Sequence, residues 1–120
     1  MEVSDATRER VRRMTFASLY PLYVAKVARK GRTEAELVEV IGWLTGLSSA
    51  QLAALVASDE TLGSLLDKLA FHDNAHLITG TICGVKVELI EDPFMKRVRQ
   101  MDKVVDELAK GRLLDKILRG

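Results

Sequence analysis

The apolar and polar positions from Phe16 to Gly46 fall into two amphipathic arms separated by Lys30, Gly31, Arg32 and Thr33. In the first arm Phe16, Leu19, Tyr20, Tyr23, Val24 and Val27 share one helical face, and Lys26, Arg29 and Lys30 lie off it. In the second, Leu37, Val40, Ile41 and Leu44 repeat the pattern, with Trp43 at its edge. Gly31 suits the left-handed position that ends a helix, and Thr33 followed three residues later by Glu36 is a capping box. The stretch is expected to be an αα-hairpin on which the rest of the chain packs. Because proline is harmless only in a helix's first turn, Ser18 is the expected cap of the first arm; a start at Thr15 would make Pro21 kink the helix.

Further along, Gly46 closes the second arm, and Ser48 with Gln51 predicts a short helix bearing Leu52, Leu55 and Val56. Ser58 or Asp59 is expected to cap the next, with Leu62, Leu65, Leu66 and Leu69 on one face despite Gly63. Phe71 to Leu77 reads as a connection because Asp73 and Asn74 are turn formers. Between Leu77 and Ile90 the period shortens and β-branched residues appear around Gly80 and Gly84, predicting one or two short strands. A lone two-stranded hairpin is marginal in water, so it must lie against the helices or pair with a second copy. Asp92 and Pro93 mark a helix start, and Phe94, Val98, Met101, Val105 and Leu108 form a seam about two heptads long. The hairpin's two stripes are expected to pack on that seam. After Gly111, Leu113, Leu114, Ile117 and Leu118 make a last turn or two.

This gives a mainly α, small single-domain helical bundle built on an αα-hairpin, with a short β-hairpin before a long C-terminal helix. Residues 1–15, poor in apolar side chains and carrying Arg8, Arg10, Arg12 and Arg13, are expected to be a loosely ordered basic arm, and residues 16–120 the domain. A chain of 120 residues buries about two-thirds of the surface it exposes unfolded, enough for a core without staples. No apolar run approaches the roughly 20 residues that cross a bilayer, and the start lacks a secretory signal's apolar stretch, so no membrane and a cytoplasmic location are expected. A single cysteine excludes an internal disulfide. The net charge of +1 conceals basic ends and an acidic middle: +5 over residues 1–32, −8 over 33–92 and +4 over 93–120. Mutual neutralisation within the fold explains this more simply than a basic surface for nucleic acid, since the basic residues alternate with acids and lack stacking aromatics.

The runs FASLYPLYVAKVARKGRT, IGWLTG, TICGVKVELIEDPFMKRVRQMDKVVDELAKG and DKILR, in this order and spacing, resemble an uncharacterised bacterial family known as domain of unknown function 2200. The resemblance implies a small, mainly helical, single-domain bacterial protein and carries no activity, substrate or catalytic residue with it.

Candidate chemistry is sparse. His72 and His76 stand four apart, which on a helix aligns two imidazoles, but Asp73 follows where a metalloprotease has Glu, and Asn74 favours a turn; two structural histidines are the simpler reading, with no metal or other cofactor. Cys83 has His76 nearby in sequence, the minimum for an activated thiol, yet a buried thiol in an apolar strand is the expectation. The glycines of TGTICG lack the Lys and Ser/Thr of a phosphate loop. Tyr20, Tyr23 and Trp43 can line a groove between the arms with Arg29, Lys30 and Arg32 at its mouth, which makes these six the candidate binding residues. No nucleophile, base and orienter come together, so an enzyme is unsupported. The leading reading is a small interaction or adaptor module with a protein partner or self-association. The alternative is a nucleic-acid or phosphate-ligand binder using the N-terminal arginines with Lys96, Arg97, Arg99 and Lys103. The weakest is a thiol or metal enzyme on His72, His76 and Cys83.

Overall fold

Capping chemistry sets most of the helix starts in the structure, a computed structural model that describes residues 4–120. Thr33 accepts from the Glu36 N–H while Glu36 reaches back to the Thr33 N–H, opening α3 (Glu34–Thr45) as expected. Gly46, at φ +76, ends it where a side chain would be strained. Ser48 and Gln51 make the same reciprocal pair at the start of α4 (Ser49–Val56). Asp92 caps α6 (Pro93–Ala109) through the Met95 N–H, with Pro93 in its first turn.

Two caps differ from expectation. Thr15, not Ser18, caps α2 (Phe16–Ala28), which leaves Pro21 inside the helix and the Ala17 carbonyl without its usual N–H donor. Thr61, not Ser58 or Asp59, caps α5 (Leu62–Lys68). The cause is shared: Thr15 and Thr61 face each other in an isolated antiparallel bridge. The Phe16 N–H donates to the Glu60 carbonyl at 3.2 Å, and the Leu62 N–H to the Met14 carbonyl at 2.7 Å. Residues 58–60 instead make a local turn in which Ser58 accepts from the Glu60 N–H.

The expected basic arm also takes a different form. Its first three residues lie outside the described ones, but Asp5–Arg13 is a helix, α1, capped by Ser4 and lying along α5. The connection at Phe71 to Leu77 contains a short 3-10 turn over Asp73–Leu77. Strands β1 (Thr81–Ile82) and β2 (Val85–Lys86) pair antiparallel within the chain. They lie against α6, which supplies the support that a two-stranded hairpin lacks alone. The turn between them holds Cys83 and Gly84 at φ +50 and +79, the signs that a two-residue turn with right-handed strand twist demands. Cys83 is consequently exposed in a turn, not buried in a strand.

One apolar core draws on every helix from α2 to α7 (Leu114–Ile117). Phe94, Val98, Met101, Val105 and Leu108 are all buried, and both hairpin arms, α2 and α3, pack on α6 as their stripes predict. Among the described residues no single helix is long and apolar enough to cross a membrane. Leu108 is fully enclosed, so Leu108→Ala is expected to lower unfolding stability by about 2–5 kcal/mol, read as a lower urea midpoint at unchanged slope. A loss below about 0.5 kcal/mol would mean that α6 is not central to the core.

Candidate functional site

Each of the six candidate side chains has a definite place, and they do not meet in one groove. Tyr20 is buried and donates its hydroxyl to Glu34 at 2.8 Å, tying α2 to the start of α3. Burial, reinforced by that carboxylate, raises its pKa, so the phenol stays protonated. Tyr23 is also buried and donates to Asp102 of α6, whose second oxygen takes Arg99 at 3.1 Å. Burial and the charge of Asp102 push its pKa well up. Trp43 stacks on His72 with ring centroids 4.6 Å apart. The two tyrosine hydroxyls join helices, and the Trp43 ring joins α3 to the connection at His72, its buried Nε1 having no hydrogen-bond partner among the described residues.

Arg32 is likewise structural. From the turn between the arms it donates to Glu36 at 2.9 Å, to the Leu108 carbonyl at 3.1 Å and to the Arg112 carbonyl at 2.9 Å. It therefore clamps the hairpin turn onto the C-terminal end of α6. The Arg32 guanidinium and the Thr33 N–H together hold the Glu36 carboxyl well below its ordinary value of 4.5, at about 2.

The metal and thiol candidates do not converge. His72 accepts from the Asn74 N–H through Nδ1 at 3.0 Å, and His76 Nδ1 lies 2.9 Å from the Asp73 carbonyl. Among the described residues no three His, Cys, Asp or Glu side chains are grouped to hold a metal ion. Most of the cations proposed for nucleic acid are engaged too. Arg8 pairs with Asp92 at 2.9 Å and Arg12 with Asp67 at 2.6 Å. Arg97 donates to the Leu66 and Leu69 carbonyls, and Lys103 to Thr81. The Arg8 and Arg12 pairs join the basic start to the acidic middle, as neutralisation within the fold requires.

Lys30 and Arg29, whose Nε donates to the Ala25 carbonyl one turn back at 3.3 Å while its terminal nitrogens face outward, mark the candidate site. With Leu22 and Lys26 they line a groove of about 440 Å³ whose opposite wall is Asp106, Ala109 and Lys110 of α6. Two helix C-terminal ends meet here. Cations are favourable beside such ends, but an apolar side chain is not explained that way, and Leu22 is 62 % exposed. Asp106 is the single carboxylate among the described residues lining the groove and is only 8 % exposed. Lys26 and Lys110 lie 3.1 Å from its two oxygens. Burial opposes its ionisation, and the two ammonium groups outweigh burial and hold its pKa below the ordinary value. The anion is ion-paired from within, although its Oδ2 accepts no hydrogen bond among the described residues, so Lys30, the terminal nitrogens of Arg29 and an exposed leucine are left for another molecule. Reading α2 for its buried stripe hides this face. Its signal is the spacing Leu22, Lys26, Arg29 and Lys30, which puts an apolar residue and three cations on one side of the helix.

The family model described as "Uncharacterized protein conserved in bacteria (DUF2200)" matches residues 10–119. No curated protein matches the chain. Among solved structures, the crystal structure of the uncharacterized protein SP1917 is similar at 37 % identity and a TM-score of 0.86, over 92 % of this chain and 91 % of that one.

The depressed Glu36 carboxyl stabilises the fold above the ordinary carboxylate range and loses that effect as pH falls from about 4.5 towards about 2. Glu36→Gln keeps an acceptor for the Thr33 N–H but removes the charge facing Arg32. The urea midpoint of the variant should lie below that of the natural chain at pH 6, and the gap should narrow at pH 3. A gap that is constant or wider at pH 3 would contradict the assignment.

Proposed function

We propose that this chain, which belongs to the DUF2200 family of uncharacterized bacterial proteins, is a small cytoplasmic protein-interaction module. Its groove between α2 and α6 receives an acidic segment bearing an apolar side chain. The observation that carries this reading is the groove's composition: Lys26, Arg29, Lys30 and Lys110 flank exposed Leu22, and the one carboxylate among them is buried and already paired. An apolar anchor inside a charged rim is the usual anatomy of a protein interface. Complementary charge adds to encounter rate and to selection against basic partners.

A binding role also has more support than catalysis, because both tyrosine hydroxyls and the Trp43–His72 stack join elements of the fold, and His76 is turned onto the Asp73 carbonyl of its own turn. The nucleic-acid reading has less support, because Arg8, Arg12, Arg97, Arg99 and Lys103 serve the protein's own carboxylates and carbonyls.

The test uses two fluorescent peptides of about a dozen residues, one with glutamates and leucines at helical spacing and one with lysine in place of every glutamate, titrated with the full chain at about 50 mM salt. The acidic peptide is expected to bind at least about tenfold more tightly, and Leu22→Ala with Lys30→Glu to abolish that preference. Both substitutions are on exposed positions and should leave the urea midpoint almost unchanged. Equal affinity for the two peptides, or a preference that survives the double substitution, would overturn the proposal.

A further inference from the structure

At the opposite end of α6, α1 lies over α5 and the start of α6 without burying a single residue of its own. A helix of nine residues is marginal by itself, so its place depends on what half-buried Val11, which packs on the core, and its arginines find. Arg8 meets Asp92 at 2.9 Å. Arg12 makes a two-pronged pair with Asp67, 2.6 and 3.2 Å, and its guanidinium carbon lies 4.9 Å from the Phe94 ring centroid. Carboxylate fork and aromatic face together are specific to arginine over lysine.

Gly63 completes this seat. A glycine within α5 lowers helix propensity relative to alanine. A Cβ there would stand 3.0 Å from the Arg12 guanidinium carbon and 3.1 Å from the Arg12 Cβ. The missing side chain leaves the space in which Arg12 lies. Beside it, a cavity of about 540 Å³ remains between α1 and the surface formed by Leu66, Pro93 and Phe94. The helix is thus held by its arginines together with a single half-buried valine, Val11. Its attachment is short: Met14 and Thr15 are extended, and the chain is pinned just beyond α1 by the Leu62 N–H on the Met14 carbonyl.

We infer that the Gly63, Asp67, Phe94 and Asp92 seat is an arginine-recognition site that is filled by the chain's own α1 and can equally be filled by the α1 of a second copy. The second copy is the occupant because it presents the same two arginines and the same Val11 at the same spacing, and because ion pairs at such exposure are individually weak, so exchange of one α1 for another restores each contact it breaks.

Two single variants of the full chain test this. Arg12→Asp and Asp67→Arg each place like charges at the seat, and each is expected to sediment near the protomer mass of 13.3 kDa. Mixed in equal amounts at low salt, they restore opposite charges only when each α1 sits on the other chain, so the mixture should sediment at twice that mass and return to it in about 0.5 M salt. Far-ultraviolet circular dichroism of each variant checks that both are folded before mixing. A mixture that stays at the protomer mass, or a single variant that dimerises as well as the mixture does, would overturn the inference.

Discussion

Enclosure of α6 is the constraint on which the rest of the structure depends. A single amphipathic stripe needs one covering surface, but α6 is met by α2, α3, α5, α7 and the β-hairpin, and it buries Val104, Gln100, Asp106 and Glu107 besides its apolar seam. Buried polar groups must find partners or destabilise the fold. Gln100 donates to the Ala75 carbonyl at 3.3 Å, and Glu107, 5 % exposed, takes Arg119 at 2.7 Å and Arg112 at 2.9 Å. Asp102 takes Tyr23, and Asp106 takes Lys26 and Lys110. The C-terminal residues are held by the same necessity: Asn74 donates to the Arg119 carbonyl while the Arg119 guanidinium neutralises Glu107.

That enclosure decides what remains for function. Tyr20 and Tyr23 face inward because the α2 stripe packs on α6, and their hydroxyls are then used up on Glu34 and Asp102. The outward side of α2 carries Leu22, Arg29 and Lys30, and the end of α6 adds Lys110 beside them. The two ends of α6 thus differ in kind. At its start a helix of the same chain supplies arginines to carboxylates and an aromatic ring; at its end, cations and a leucine face solvent.

What could be read from sequence is what local chemistry decides. Thr33 with Glu36, Ser48 with Gln51 and Asp92 with Pro93 open helices because capping and dipole effects act within one turn. The seam from Phe94 to Leu108 was readable because periodicity reports burial directly. Thr15 and Thr61 were not, since each cap is chosen by a backbone bridge to the other across 46 positions of chain. Gly63 and Arg12 share that character: neither explains itself without the other. Cys83 misled because an apolar run with glycines reads as strand, whereas the pairing of Thr81 with Lys86 and Ile82 with Val85 leaves it in the turn. The groove was half readable: Arg29 and Lys30 belonged to the expected mouth, but the tyrosines assigned to it lie inside, and Asp106, Ala109 and Lys110 come from a helix some 80 residues away.

If enclosure of α6 governs the fold, the hairpin cannot persist without it. Trp43, the single tryptophan, reports on α3, and far-ultraviolet circular dichroism reports on all the helices, of which α6 is the longest. Both signals followed through one urea titration should superimpose on a single cooperative transition with one midpoint. Loss of helical signal in a separate earlier step, with Trp43 fluorescence still native, would contradict the account.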